Sequence, residues 1–135
     1  MRAFVLAAAL LVGLATPACA GDDVAAAQAV IQSQAEAFAR DDAAAAYSYA
    51  APSIRAMFPA PDAFMAMVRR GYAPVYRHKS FEFGEGHAAD GKVALQVRII
   101  DAEGLPWDAF YTLELQPDGS LKITGCILKA VGQAA

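Results

Sequence analysis

Between Val24 and Arg40 the apolar residues Val24, Ala27, Ile31, Ala35 and Phe38 recur at steps of three and four, while Gln28, Gln32, Gln34, Glu36 and Arg40 lie mostly between them. That period predicts one amphipathic helix with Asp22 or Asp23 at its positive end. Asp41-Asp42 can start a second helix running through Tyr49, which stops near Ala51-Pro52 because a residue before proline is pushed out of the helical region. A short turn covers Ser53 to Phe58. Pro61 opens a third helix with Asp62 in its first turn, Phe64, Met65 and Val68 on one face, Arg69-Arg70 at its negative end and Gly71 closing it. Beyond it, Pro74 predicts an extended Ala73, so Arg69 to Lys79 reads as a connector.

From Lys79 the period changes from helical to alternating, with turn signals at Ala89-Asp90-Gly91, Ala102-Glu103-Gly104 and Pro117-Asp118-Gly119. These predict four strands in an antiparallel meander. If each turn is a three-residue loop ending in a left-handed glycine, Glu82 faces Arg98, Arg98 faces Asp108 and Glu114 faces Lys122, all on one side of the sheet. A slip by one residue would break every pair. The same register puts Phe81, Phe83, Leu95, Val97, Ile99, Trp107, Ala109, Tyr111, Leu113, Leu115, Leu121, Ile123 and Ile127 on the other side, with Tyr111 opposite Gly125. Phe110 and Leu128 interrupt the polar side, which makes it a candidate surface for a homodimer.

Helices grouped before an antiparallel sheet with one apolar face predict an α+β layer, three N-terminal helices covering a curved four-stranded sheet. The arrangement resembles the cone-shaped NTF2-like (cystatin-like) fold. Local wording resembles a family more closely: Pro52-Ser53-Ile54-Arg55, Phe64-Met65-Ala66-Met67-Val68, Gly71-Tyr72-Ala73-Pro74-Val75-Tyr76-Arg77, Tyr111-Thr112-Leu113-Glu114 and Gly125-Cys126 are similar to those of small exported bacterial proteins described as domain of unknown function 4864. The resemblance covers nearly all of the chain beyond the first twenty residues. It implies the NTF2-like fold and transfers no catalytic residue.

Those first twenty residues have their own pattern. Arg2, an apolar run from Phe4 to Leu14 broken only by Gly13, and Ala18-Cys19-Ala20 are the three parts of a cleavable export signal. The run is about half the roughly 20 residues that span a bilayer, and Thr16-Pro17 do not suit lipid attachment at Cys19, so no stable membrane anchor is expected. Residues 1–20 are thus expected to be a cleaved signal peptide and 21–135 a single domain, exported, with the periplasm as its destination. Cleavage removes Cys19 and leaves Cys126 without a disulfide partner. It also removes Arg2, so the formal charge falls one unit below the −3 of the whole chain. An acidic surface offers nothing to nucleic acid or an anionic membrane. The 57% hydrophobic content is raised by the leader and by alanine-rich helices.

Candidate chemistry concentrates in two places. Arg69, Arg70, Tyr72, Tyr76, Arg77, His78 and Lys79 fall within eleven positions; they predict either plugged core tyrosines with solvated cations, or a cationic lip at the mouth of a pocket. Glu85 shares the parity of Phe81 and Phe83, so the register points it at the apolar wall, where a carboxylate would be a general acid or base. A bulge at the flanking Gly84 or Gly86 would reverse that orientation. His78 and His87 show no ligand spacing with Cys126, so neither a metal site nor a cofactor is expected, and Cys126 reads as a small buried hydrophobe. The leading expectation is a cone that binds a small apolar or amphipathic ligand or a partner's peptide. Phe38, Met65, Tyr72, Tyr76, Phe83, Trp107 and Tyr111 would line it, and Arg69 or Arg77 would meet an anionic end. The alternatives are an isomerase- or hydrolase-like enzyme using Glu85 with a tyrosine, and a homodimeric interaction module.

Overall fold

The computed structural model describes residues 20–132. The expected leader lies outside the described residues, Ala20 apart. Five helices come first: α1 (Ala20–Ala39), α2 (Ala43–Ser48), α3 (Pro52–Met57), α4 (Pro61–Gly71) and α5 (Ala73–Tyr76). The strands β1 (His78–Ala89), β2 (Lys92–Asp101), β3 (Pro106–Leu115) and β4 (Leu121–Ala130) follow as an antiparallel meander in the order β1-β2-β3-β4.

The helices begin and end where local chemistry requires. Asp41 takes a left-handed φ of 54° after α1, and Asp42 then caps α2, its Oδ1 accepting the Ala45 N–H at 3.1 Å. The connector expected to be extended coils instead into α5, with Ala73 and Pro74 as its first two positions. Proline is tolerated there because the first N–H groups of a helix have no internal acceptor. α1 lays Ala27, Ile31, Gln34 and Phe38 on the sheet, all buried. Gln34 therefore belongs to the core face rather than the polar one.

The three charge-pair registers are present: Glu82 faces Arg98, Arg98 faces Asp108, and Glu114 faces Lys122. Arg98 Nε lies 2.7 Å from Asp108 Oδ1. Two bulges alter what lies between them. Ala89 pairs with Lys92, leaving Asp90-Gly91 as a two-residue turn with φ of 52° and 74°, instead of the expected three-residue loop. β1 regains the Phe83–Val97 pairing by setting both Gly84 and Glu85 against Gln96. The extra residue reverses parity, so Glu85 is exposed and Gly86 takes the inward position. A Cβ at Gly86 would sit 2.6 Å from Leu95 Cδ1 and 2.8 Å from Val24 Cγ1, which shows how closely α1 rides over this strand.

The second bulge is in β4. Leu113 pairs with Ile123 but Thr112 pairs with Gly125, so Thr124 is the extra residue. Tyr111 consequently faces Cys126, not Gly125. Ile127, expected in the wall, is 62% exposed, and Leu115 at the strand end is 50% exposed. The outward apolar pair on the polar side is Phe110 with Ile127, while Leu128 turns toward the core. Bulges bend strands, and the sheet curves around the helices. Beside the bend, Ile123 donates its N–H to Tyr49 O at 2.9 Å and accepts the Ala51 N–H at 2.8 Å, so the link between α2 and α3 covers part of the β4 edge.

Candidate functional site

Between the helices and the bulged end of the sheet lies a cavity of about 460 Å³. α1 contributes Gln34 and Phe38, α3 contributes Ile54 and Met57, and α4 contributes Phe64, Met67 and Val68. Ala50, Phe58, Tyr72, Val75, Tyr111 and the bulged run from Ile123 to Ile127 complete it. Met57 and Ile127 are its most exposed lining residues, at 67% and 62%. No lining side chain carries a charge.

The polar groups of the lining are few. Tyr72 donates its hydroxyl to Cys126 O at 2.9 Å, joining the end of α4 to β4. Tyr111 and Cys126 face one another across β3 and β4, with the phenol near the thiol. Gln34 Nε2 donates to Ala46 O at 3.1 Å. Burial, followed by the neighbouring Cys126, pushes the Tyr72 phenol above its ordinary range, and the same causes push Tyr111 up further. Burial also raises the Cys126 thiol to about 12, outweighing the Tyr111 hydrogen bond that pulls the other way. All three groups are protonated at neutral pH. The cluster supplies neutral polarity.

Of the residues singled out in the sequence, Phe38, Tyr72 and Tyr111 meet in this cavity. Met65, 1% exposed, is packed in the core instead. Phe83 stacks edge-on against Phe81 at 5.7 Å, and Trp107 donates its Nε1–H to Asp101 Oδ2 at 2.9 Å; neither lines the cavity. The expected cationic lip is absent because its members are engaged elsewhere. Arg77 donates to Phe38 O at 2.7 Å and to Asp41 Oδ2 at 2.9 Å, with its guanidinium 4.0 Å over the Tyr76 ring. Tyr76 donates to Asp41 Oδ1, and Arg69 Nε reaches the Tyr76 hydroxyl at 3.4 Å. The Tyr76 hydrogen bond, then the Arg77 charge, hold the Asp41 carboxyl below its usual range. Arg69, Tyr76 and Arg77 thus tie the end of α1 to the start of β1. Glu85, exposed and outside the cavity, loses the burial on which an acid–base role rested.

Sequence reasoning missed Gln34, Met57, Met67 and Cys126 as lining residues. The step from Ile31 to Gln34 to Phe38 is the helical core spacing and was the available signal for Gln34. Cys126 had none, since the Thr124 bulge decides its side. Among the described residues no group of three His, Cys, Asp or Glu side chains gathers to hold a metal, and no helix is long and apolar enough to cross a membrane.

Helices over a bulged four-stranded meander, with Tyr72, Tyr111 and Gly125-Cys126 gathered at one cavity, bring together the segments whose wording resembled a family. The chain belongs to the family described as a domain of unknown function (DUF4864), matched over residues 20–135. A crystal structure of an NTF2-like protein of unknown function from Silicibacter pomeroyi DSS-3 is similar to this DUF4864 chain with a TM-score of 0.58 and 19% identity, covering 82% of this chain and 97% of the other. That likeness establishes the NTF2-like fold for the DUF4864 chain. A comparison with curated proteins gives no match.

Proposed function

We propose that this DUF4864 chain is an exported binding protein that takes a small apolar or amphipathic ligand into the cavity between its helices and sheet. The observation that carries the reading is the cavity itself: about 460 Å³ with an uncharged, mostly apolar lining and a few neutral polar groups. Small-molecule sites span about 300–1,000 Å³ and share that chemistry. Export is supported by the three-part signal in residues 1–20.

The test is native mass spectrometry of protein taken from the periplasmic fraction. The expected spectrum shows residues 21–135 carrying a reproducible extra mass. Met67→Trp, which places an indole in the cavity from a half-buried position, is expected to remove that mass while circular dichroism stays unchanged. Retention of the leader on cytoplasmic protein would overturn export. A bare mass in wild type and variant alike would overturn the ligand.

A further inference from the structure

Gln34 is the single buried polar or charged side chain among the described residues, 5% exposed on the core face of α1. Its amide orientation is fixed because Nε2 donates to Ala46 O at 3.1 Å, and a carbonyl oxygen could not serve there. Oε1 has no protein donor among the described residues. Every fully sealed side-chain nitrogen or oxygen among those residues has a partner, so this oxygen keeps some accessible surface on a side chain that lines the cavity. An amide acceptor in apolar surroundings is costly until something donates to it.

The remaining polar groups decide the charge of what can donate. Tyr72 has its proton on Cys126 O, and the Tyr111 hydroxyl is turned toward the Cys126 side chain. Arg69 and Arg77 are held in the strap at Asp41 and Tyr76. A carboxylate in this cavity would lose its water and meet no cation, and an ammonium would meet no anion.

We propose that the cavity selects an uncharged amphipathic molecule whose buried end donates a hydrogen bond, from a hydroxyl or a neutral N–H, to Gln34 Oε1. The inference rests on the ligand-binding reading above. Three congeners sharing one apolar skeleton separate the two: 2-naphthol donates, 2-methoxynaphthalene only accepts, and 2-naphthoate is an anion. Fluorescence titration at neutral pH is expected to show 2-naphthol binding about tenfold more tightly than 2-methoxynaphthalene, the factor one neutral hydrogen bond supplies. 2-Naphthoate is expected to bind at least as weakly as the ether. Gln34→Met is expected to bring naphthol and ether to equal affinity. If that variant does not fold, because Ala46 O has lost its donor, the wild-type ranking decides by itself. Equal affinities in the wild type, or 2-naphthoate binding most tightly, would overturn the inference and leave the binding reading standing. Absence of binding by all three, or binding that Met67→Trp leaves unchanged, removes both.

Discussion

Cys126 sits where burial changes its acidity. A thiol raised to about 12 by burial is almost entirely protonated at neutral pH, whereas an unfolded cysteine ionises near 8.5. Cys126 is therefore expected to react with Ellman's reagent roughly a thousandfold more slowly when the protein is folded than in denaturant, following the difference in thiolate fraction. Stopped-flow absorbance checks it, and a folded rate within about tenfold of the denatured one counts against the buried assignment. The lack of any activating motif nearby in the sequence agrees with the direction of that shift. Gln34 was half legible: its place on the core spacing of α1 is visible, but the direction of its amide is set by Ala46, twelve residues away on another helix.

At the scale of the strand, opposite charges made the register readable. Glu82, Arg98 and Asp108 pair correctly only in one alignment, and that alignment is present. The bulges were not readable to the same degree, because each shifts a strand by one residue between stretches that both pair well. Gly84 and Gly86 were the trace of the first; Thr124 left none. The cost of this hidden feature is measurable at Gly86, where a methyl group would press into Leu95 and Val24. Gly86→Ala is expected to lose about 1–3 kcal/mol by overpacking. At Gly84 the nearest atom to an added Cβ is 3.5 Å away, an ordinary contact, so Gly84→Ala is the matched control with little change. Urea unfolding monitored by circular dichroism distinguishes them, through a lower midpoint at unchanged slope for Gly86→Ala alone.

For the whole molecule, the switch from helical to alternating period placed the helices on one side of the sheet, and that layer order is what the chain adopts. The cavity was less legible, since its volume depends on how far β4 swings from α4, which no local pattern records. One wall of it is α3, which buries none of its residues. The far end of α3 is held by Tyr47, whose hydroxyl donates to Phe58 O at 2.7 Å and to Arg55 O at 3.3 Å. Those bonds lie outside the strand pairings, so their loss is expected to loosen α3 without opening the sheet. Tyr47→Phe is expected to speed amide exchange across Ile54–Met57 by about tenfold, the worth of one to two neutral hydrogen bonds, while β2 and β3 keep their protection. Exchange read by mass spectrometry that rises equally in the helix and the strands would contradict this. One phenolic hydroxyl thus fastens the far end of a wall that the sheet itself does not hold.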